Sequence, residues 1–356
     1  MNDQIYRKLA RALDQLPYGF PETDTGIETE ILRLMFTHEE ARIAAELSSR
    51  WETPSEVAGR LGLDARPTES QLRLMLMKGL VQGEVRDGSR LFRLNQFIVG
   101  SWEHTMLRLD GEAAHRMAHL TEEYVASTGG LRGIMTPAPS IHRVVPARGT
   151  VKSEWILPYD DIRSFLEEAQ SFHLRDCVCR KQHDLVGDRK CDFPRRACLS
   201  FSPFQRPPGP DSISKEEALA FLDQARDVGL VHTVSNVAKG INYVCNCCGC
   251  CCGILRGVTE FGLKESVAQA NYYCTIDVES CSGCGICVDR CQVGAVELVE
   301  LTAVVTKERC IGCGLCVSTC APGAANLLLR PKDEILEPPA DIGNWEKIRR
   351  ANRGMS

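Results

Sequence analysis

The sequence predicts a multidomain α+β protein, and three observations predict it. Helix-opening capping patterns and one tight-turn pair punctuate the N-terminal third. Cysteines crowd the middle, and near the end one cysteine pattern occurs twice. At 356 residues the chain has length for roughly two or three domains with cores of their own. Its hydrophobic and charged fractions, 44% and 25%, are those of an ordinary globular protein. A net charge of −5 argues against a dedicated nucleic-acid binder. The opening residues, MNDQIYRKLARALDQL, read as an amphipathic helix and lack the apolar core and cleavage site of a secretory signal. No apolar run approaches the roughly 20 residues of a membrane span, so no membrane insertion is expected. Nineteen cysteines would be a folding hazard in an oxidising space, which makes the cytoplasm the expected compartment. The expected boundaries are a helical domain over 1–127, a linker over 128–150, a central domain over 151–270, the repeat over 271–330, and an extended tail over 331–356.

Thr37 caps a helix with Glu40 at the capping-box position, and Thr53-Pro54-Ser55-Glu56 opens the next in the same way. Val57–Leu63 then reads as a short helix ending in a glycine turn, and residues 68–78 as a second helix. Gly79-Leu80-Val81 starts a hairpin that turns at Asp87-Gly88 and returns through Leu91–Leu94. From about Glu28 to Gly100 this order resembles a winged helix-turn-helix domain. That resemblance implies either DNA binding or protein docking. Glu69, Gln71, Arg73 and Lys78 would face bases, and Arg66, Arg86 and Arg90 could touch phosphates. Nine carboxylates, from Glu39 to Asp87, nearly cancel those cations, so DNA is the lesser alternative.

Residues 128–150 are rich in Gly, Pro and Ser, the composition of a connection. A helix is expected over Asp160–Phe172, and Ser214–Glu217 is a capping box for a helix ending at Gly229. Phe201–Ser212 has too many prolines for an element interior. Ten cysteines lie in this region: Cys177, Cys179, Cys191, Cys198, Cys245, Cys247, Cys248, Cys250, Cys251 and Cys252. Buried cysteine can act as a small hydrophobe, but six thiols in eight residues cannot all do so. The density predicts at least one further metal site. An iron–sulfur cluster is the expected occupant and zinc the alternative, because soft thiolates select either. A reactive dithiol is a third reading, since cations such as Arg180 and Lys181 lower thiol pKa. Spacing does not say which cysteines share a metal. His173, His183 and His232 lie nearby and are read as ordinary histidines.

Cys281-x2-Cys284-x2-Cys287-x3-Cys291 returns 29 residues later as Cys310-x2-Cys313-x2-Cys316-x3-Cys320. Gly283, Gly285, Val288 and Gly294-Ala295 also match Gly312, Gly314, Val317 and Gly323-Ala324, so a half-unit has been duplicated. Each run holds four thiolates on one tight loop and a short helix, as a cubane iron–sulfur cluster requires. A zinc site would need one set of four ligands, commonly two separated CxxC pairs. The pattern resembles the bacterial two-cluster ferredoxins over residues 272–330. In that family the fourth cysteine of each run serves the other run's cluster. The resemblance therefore implies one [4Fe-4S] cluster on Cys281, Cys284, Cys287 and Cys320, and a second on Cys310, Cys313, Cys316 and Cys291. Gln292 stands where the family usually has proline, and Pro322 comes one residue late.

The whole order resembles modular bacterial and archaeal ferredoxin-type proteins with a winged-helix start, a CxCR segment, a CNCCxCCC run and a dicluster end. It implies an electron carrier, or a subunit of an oxidoreductase complex, that relays electrons to a redox partner protein. No Gly-x-Gly-x-x-Gly after a strand, Walker loop, HExxH or Gly-x-Ser-x-Gly is present to suggest chemistry of its own. Two alternatives remain: a redox-sensing transcriptional regulator using the winged helix, and an oxidoreductase with its active site among the central cysteines.

Overall fold

A computed structural model describes residues 3–127 and 129–355. The chain is mixed α+β and divides into two compact units. The first comprises 1–137, 181–188 and 349–356, and the second 138–180 and 189–348.

In the first unit, helices Asp3–Asp14, Ile27–Met35 and His38–Ala44 pack through buried Leu9, Leu13, Ile31, Leu32 and Ala41. Thr37 accepts the Glu40 amide while the Glu40 carboxylate accepts the Thr37 amide, so that box forms as read. Glu40 is buried and also takes Lys78 Nζ at 2.6 Å. Helix Pro54–Leu61 carries the second box and ends at Gly62 in the left-handed region. The following helix spans Ala65–Met77, three residues earlier at its start than expected. Strands β1 (Val81–Arg86) and β2 (Ser89–Leu94) pair antiparallel about Asp87-Gly88, both at positive φ. Helices Trp102–Arg108, Gly111–Ala126 and Gly130–Met135 complete the unit. Phe20, Phe97 and Tyr124 stack at its centre, with ring centroids 4.4–5.9 Å apart.

The second unit is built on a seven-stranded sheet. In chain order its strands are β3 (His142–Val144), β4 (Ser171–Asp176), β5 (Arg196–Ser202), β6 (Ser212–Ile213), β7 (Val231–Ser235), β8 (Tyr243–Cys247) and β9 (Val267–Ala268). Across the sheet they run β6-β4-β5-β8-β7-β3-β9. Helix Lys215–Val228, capped by Ser214 and Glu217 as expected, packs Ala218, Phe221, Leu222 and Ala225 into the core beside Leu174, Leu199 and Val244. Beyond β9 the repeat contributes β10 (Tyr272–Ile276), β11 (Val296–Val299), β12 (Thr302–Val305) and β13 (Ala325–Leu329). β10 pairs with β13 and β11 with β12, so the outer strands of the two halves embrace the inner ones. Arg290 donates to the carbonyls of Arg226 and Asp227, and Ala147 donates to Cys313, so repeat and sheet form one body.

Three expectations are corrected. The segment 128–150 is no linker. It holds helix Gly130–Met135 and strand β3, which is buried between β7 and β9 (Thr128 lies outside the described residues). The helix expected over Asp160–Phe172 covers only Ile162–Glu167. Phe172 and Leu174 alternate with His173 and Arg175, a strand pattern, and pair with β5 as β4. The tail is not extended throughout. Asp341 accepts the Asn344 amide and starts helix Ile342–Asn352. Trp345 is 1% exposed and donates Nε1–H to Ser140 O at 3.0 Å, so its indole rests on its own chain. Among the described residues no helix is long and apolar enough to cross a membrane.

Candidate metal centres

Each half of the repeat folds as strand, cysteine loop, short turn, strand. Gly283 and Gly312 occupy matching loop positions at φ +67° and +72°. A Cβ there would stand 2.2 Å from Leu301 O and 2.3 Å from Tyr272 O, so both loops need glycine for conformation and for space. Two cavities result. The first, of about 370 Å³, is lined by Cys281, Cys284, Cys287 and, from the other run, Cys320. The second, of about 340 Å³, is lined by Cys310, Cys313, Cys316 and, from the first run, Cys291. Cys316 borders both.

Backbone amides are aimed at these sulfurs. Ala295 N–H donates to Cys291 Sγ at 3.0 Å and Ala325 N–H to Cys320 Sγ at 3.3 Å. Cys274 N–H donates to Cys310 Sγ at 3.4 Å. In the equivalent place Ala303 N–H, with Gly283 N–H behind it, holds the Cys281 thiol below its usual range. Sulfur accepts such bonds well only as thiolate, so the loops are arranged for anions. Burial pushes the Cys313 thiol far up, which a neutral thiol tolerates and a free thiolate would not.

The central region contains a tighter set. Cys191, Cys248, Cys250 and Cys251 have sulfurs all within 4.8 Å of one another and form a group able to hold a metal ion. Cys191 Sγ lies 3.9 Å from Cys248 and 3.8 Å from Cys251, and Cys250 lies 3.7 Å from Cys251. A hydrogen bond with Cys251, aided by the Arg180 guanidinium, lowers the Cys248 thiol strongly. Among the described residues this tight grouping is confined to these four. The loop touches the repeat: Gly249 N–H donates to Gln292 Oε1 at 2.9 Å, and a Cβ on Gly249 would meet Gln292 O at 2.0 Å. The residue standing in place of the usual proline is therefore a contact to the central loop.

The other six central cysteines lie elsewhere. Cys198 and Cys245 face each other across β5 and β8. Cys177 and Cys179 flank the start of helix Val178–Val186, Cys247 ends β8, and Cys252 precedes helix Gly253–Thr259. No histidine joins the tight group. His232 Nδ1 is 2.7 Å from Asn246 Oδ1, and His183 Nδ1 is 2.7 Å from Asp188 Oδ1.

Sequence reasoning passed over Cys274. It is buried on β10, lines the second cavity, and has its sulfur 3.4 Å from that of Cys316. The signal was available: shifted by the 29-residue repeat, position 274 falls on Ala303, so one half carries a thiol where the other carries a methyl. Comparison with protein-family models, with curated proteins and with solved structures finds no match for this chain.

Proposed function

We infer that the protein is an iron–sulfur electron carrier whose eight repeat cysteines hold two [4Fe-4S] clusters crosswise. The observation that carries this reading is the composition of the two cavities, each lined by three cysteines of one run and the fourth of the other. The donor set fits the group: four soft sulfurs per cavity, amides directed at them, and glycines that let the backbone close around an inorganic core. When bound, such clusters accept and release single electrons. The protein's part is to hold thiolates, exclude water and keep the two sites adjacent, and Cys316 on both walls supports adjacency.

The first site is the outer one. Cys284 is exposed, and Ile286, Leu298, Val299 and Leu301 around the same loops leave apolar side chains in water. We assign this rim as the face that meets a redox partner protein, since short distance governs exchange. The tight central group reads differently. Four thiolates on one ion with bonds of about 2.3 Å stand about 3.8 Å apart at tetrahedral angles, close to the 3.7–3.9 Å observed. A cubane, with one thiolate per corner, spreads its ligands further. A single zinc or iron ion thus fits Cys191, Cys248, Cys250 and Cys251 better than a third cluster.

For the winged-helix region, protein docking or a structural role is the better reading. Arg73 pairs with Glu69 at 2.6 Å, Lys78 with Glu40 at 2.6 Å, and Arg86 with Glu84 at 2.5 Å, so cations proposed for DNA already have internal partners. The test of the main reading is a reductive titration of protein purified without oxygen. Uptake of about two electrons per chain, one per cluster, is expected. A chain that takes up none down to the potential of a strong low-potential reductant contradicts it.

A further inference from the structure

The ten central cysteines do not converge on one point. Beside the tight group, Cys177 interacts thiol to thiol with Cys179, Cys179 with Cys252, and Cys252 with Cys247. Cys245 extends the series from Cys247 to Cys198. The first four of these come from three separate segments, which the turn into helix Val178–Val186, the end of β8 and the run Cys250–Cys252 bring together.

Arg180 gives this assembly its meaning. It is 0% exposed. Its Nη1 donates to Pro194 O and its Nη2 to Asn246 O, each at 2.9 Å, while Nε has no acceptor. Among the described residues no carboxylate pairs with it. The acidic groups that act on it are thiols: Cys177 first, then Cys248, with Cys247 after them. Cys248 belongs to the tight group, and Cys177 and Cys247 belong to the other. A guanidinium taken wholly out of water needs a counter-charge, and neutral thiols supply none. Thiolates would supply it, and buried thiolates persist where a metal holds them.

We propose that Cys177, Cys179, Cys247 and Cys252 form a second central site for a thiophilic cation, zinc or iron, separate from the Cys191 group, with Arg180 offsetting the charge of both. Filling the site displaces the thiol protons to solvent as the metal–sulfur bonds form. The proposal does not depend on the clusters of the repeat.

The test is native mass spectrometry of the full chain, purified without oxygen, with iron and zinc determined by elemental analysis. The unmodified protein is expected to carry two metal centres beyond whatever the repeat holds. Cys177→Ser/Cys179→Ser should lose one of them and keep the other, and Cys250→Ser/Cys251→Ser should show the reverse. Only one central centre in the unmodified protein, or loss of the same centre from both variants, overturns the proposal. The wild-type count stands even if a variant fails to fold. Acid-labile sulfide, measured in the same samples, reports the repeat separately, so failure there is not mistaken for failure here.

Discussion

Cys320→Ser is expected to remove the cluster whose other three ligands lie in the opposite run. If ligation follows the cavity walls, Cys320→Ser and Cys284→Ser strike the same centre, although they sit in different halves of the repeat. Each should lose about half of the acid-labile sulfide, and the double variant should lose no more than either alone. Combining Cys320→Ser with Cys313→Ser should instead remove both clusters, because Cys313 belongs to the other wall. The losses should also lower stability, since β10 pairs with β13 and β11 with β12 around these centres. The check is sulfide and iron analysis with electron paramagnetic resonance of the reduced variants. Runs that ligate independently would give the opposite pattern, with Cys320→Ser and Cys313→Ser equivalent.

Arg180→Gln is the second variant with a large expected effect, and here the sign decides. If the neighbouring sulfurs are metal-bound thiolates, removing the guanidinium leaves buried negative charge uncompensated, at a cost of about 3–5 kcal/mol. Two hydrogen bonds, to Pro194 O and Asn246 O, are disturbed as well. Central metal content should fall along with the chemical-denaturation midpoint. If the sulfurs are neutral thiols, the variant instead relieves a buried, unpaired cation and should be neutral or stabilising. Equilibrium denaturation of anaerobic protein separates the two outcomes.

The elements readable from sequence are those whose signals are local. Thr37 with Glu40, Thr53 with Glu56 and Ser214 with Glu217 each place a helix start, because a capping box involves only four consecutive residues. Asp87-Gly88 places the hairpin for the same reason. The misread elements depend on distant partners. Strand β3 is three residues long in a Pro- and Gly-rich stretch, and exists because β7 and β9 flank it and Arg143 meets Asp160 at 2.7 Å. Phe172 seemed to end a helix because its strand partner, Phe201, is 29 residues away.

The candidate sites divide along the same line. Duplication made the eight repeat cysteines visible, and the two cavities bring them together in two sets of four. The partition of the central ten could not be read from spacing. It is set by sheet register, which puts Cys198 opposite Cys245, and by folding Cys191 back onto the Cys248–Cys251 loop. Gln292 looked like a departure from a pattern. Its meaning appears only with Gly249 beside it.

The central claim is that the repeat encloses inorganic clusters, and the most direct measurement is acid-labile sulfide in protein prepared without oxygen. Two cubanes supply about eight sulfides per chain, with matching iron and a brown colour that reduction bleaches. A colourless protein without sulfide, carrying zinc or nothing on Cys281 through Cys320, would contradict the account.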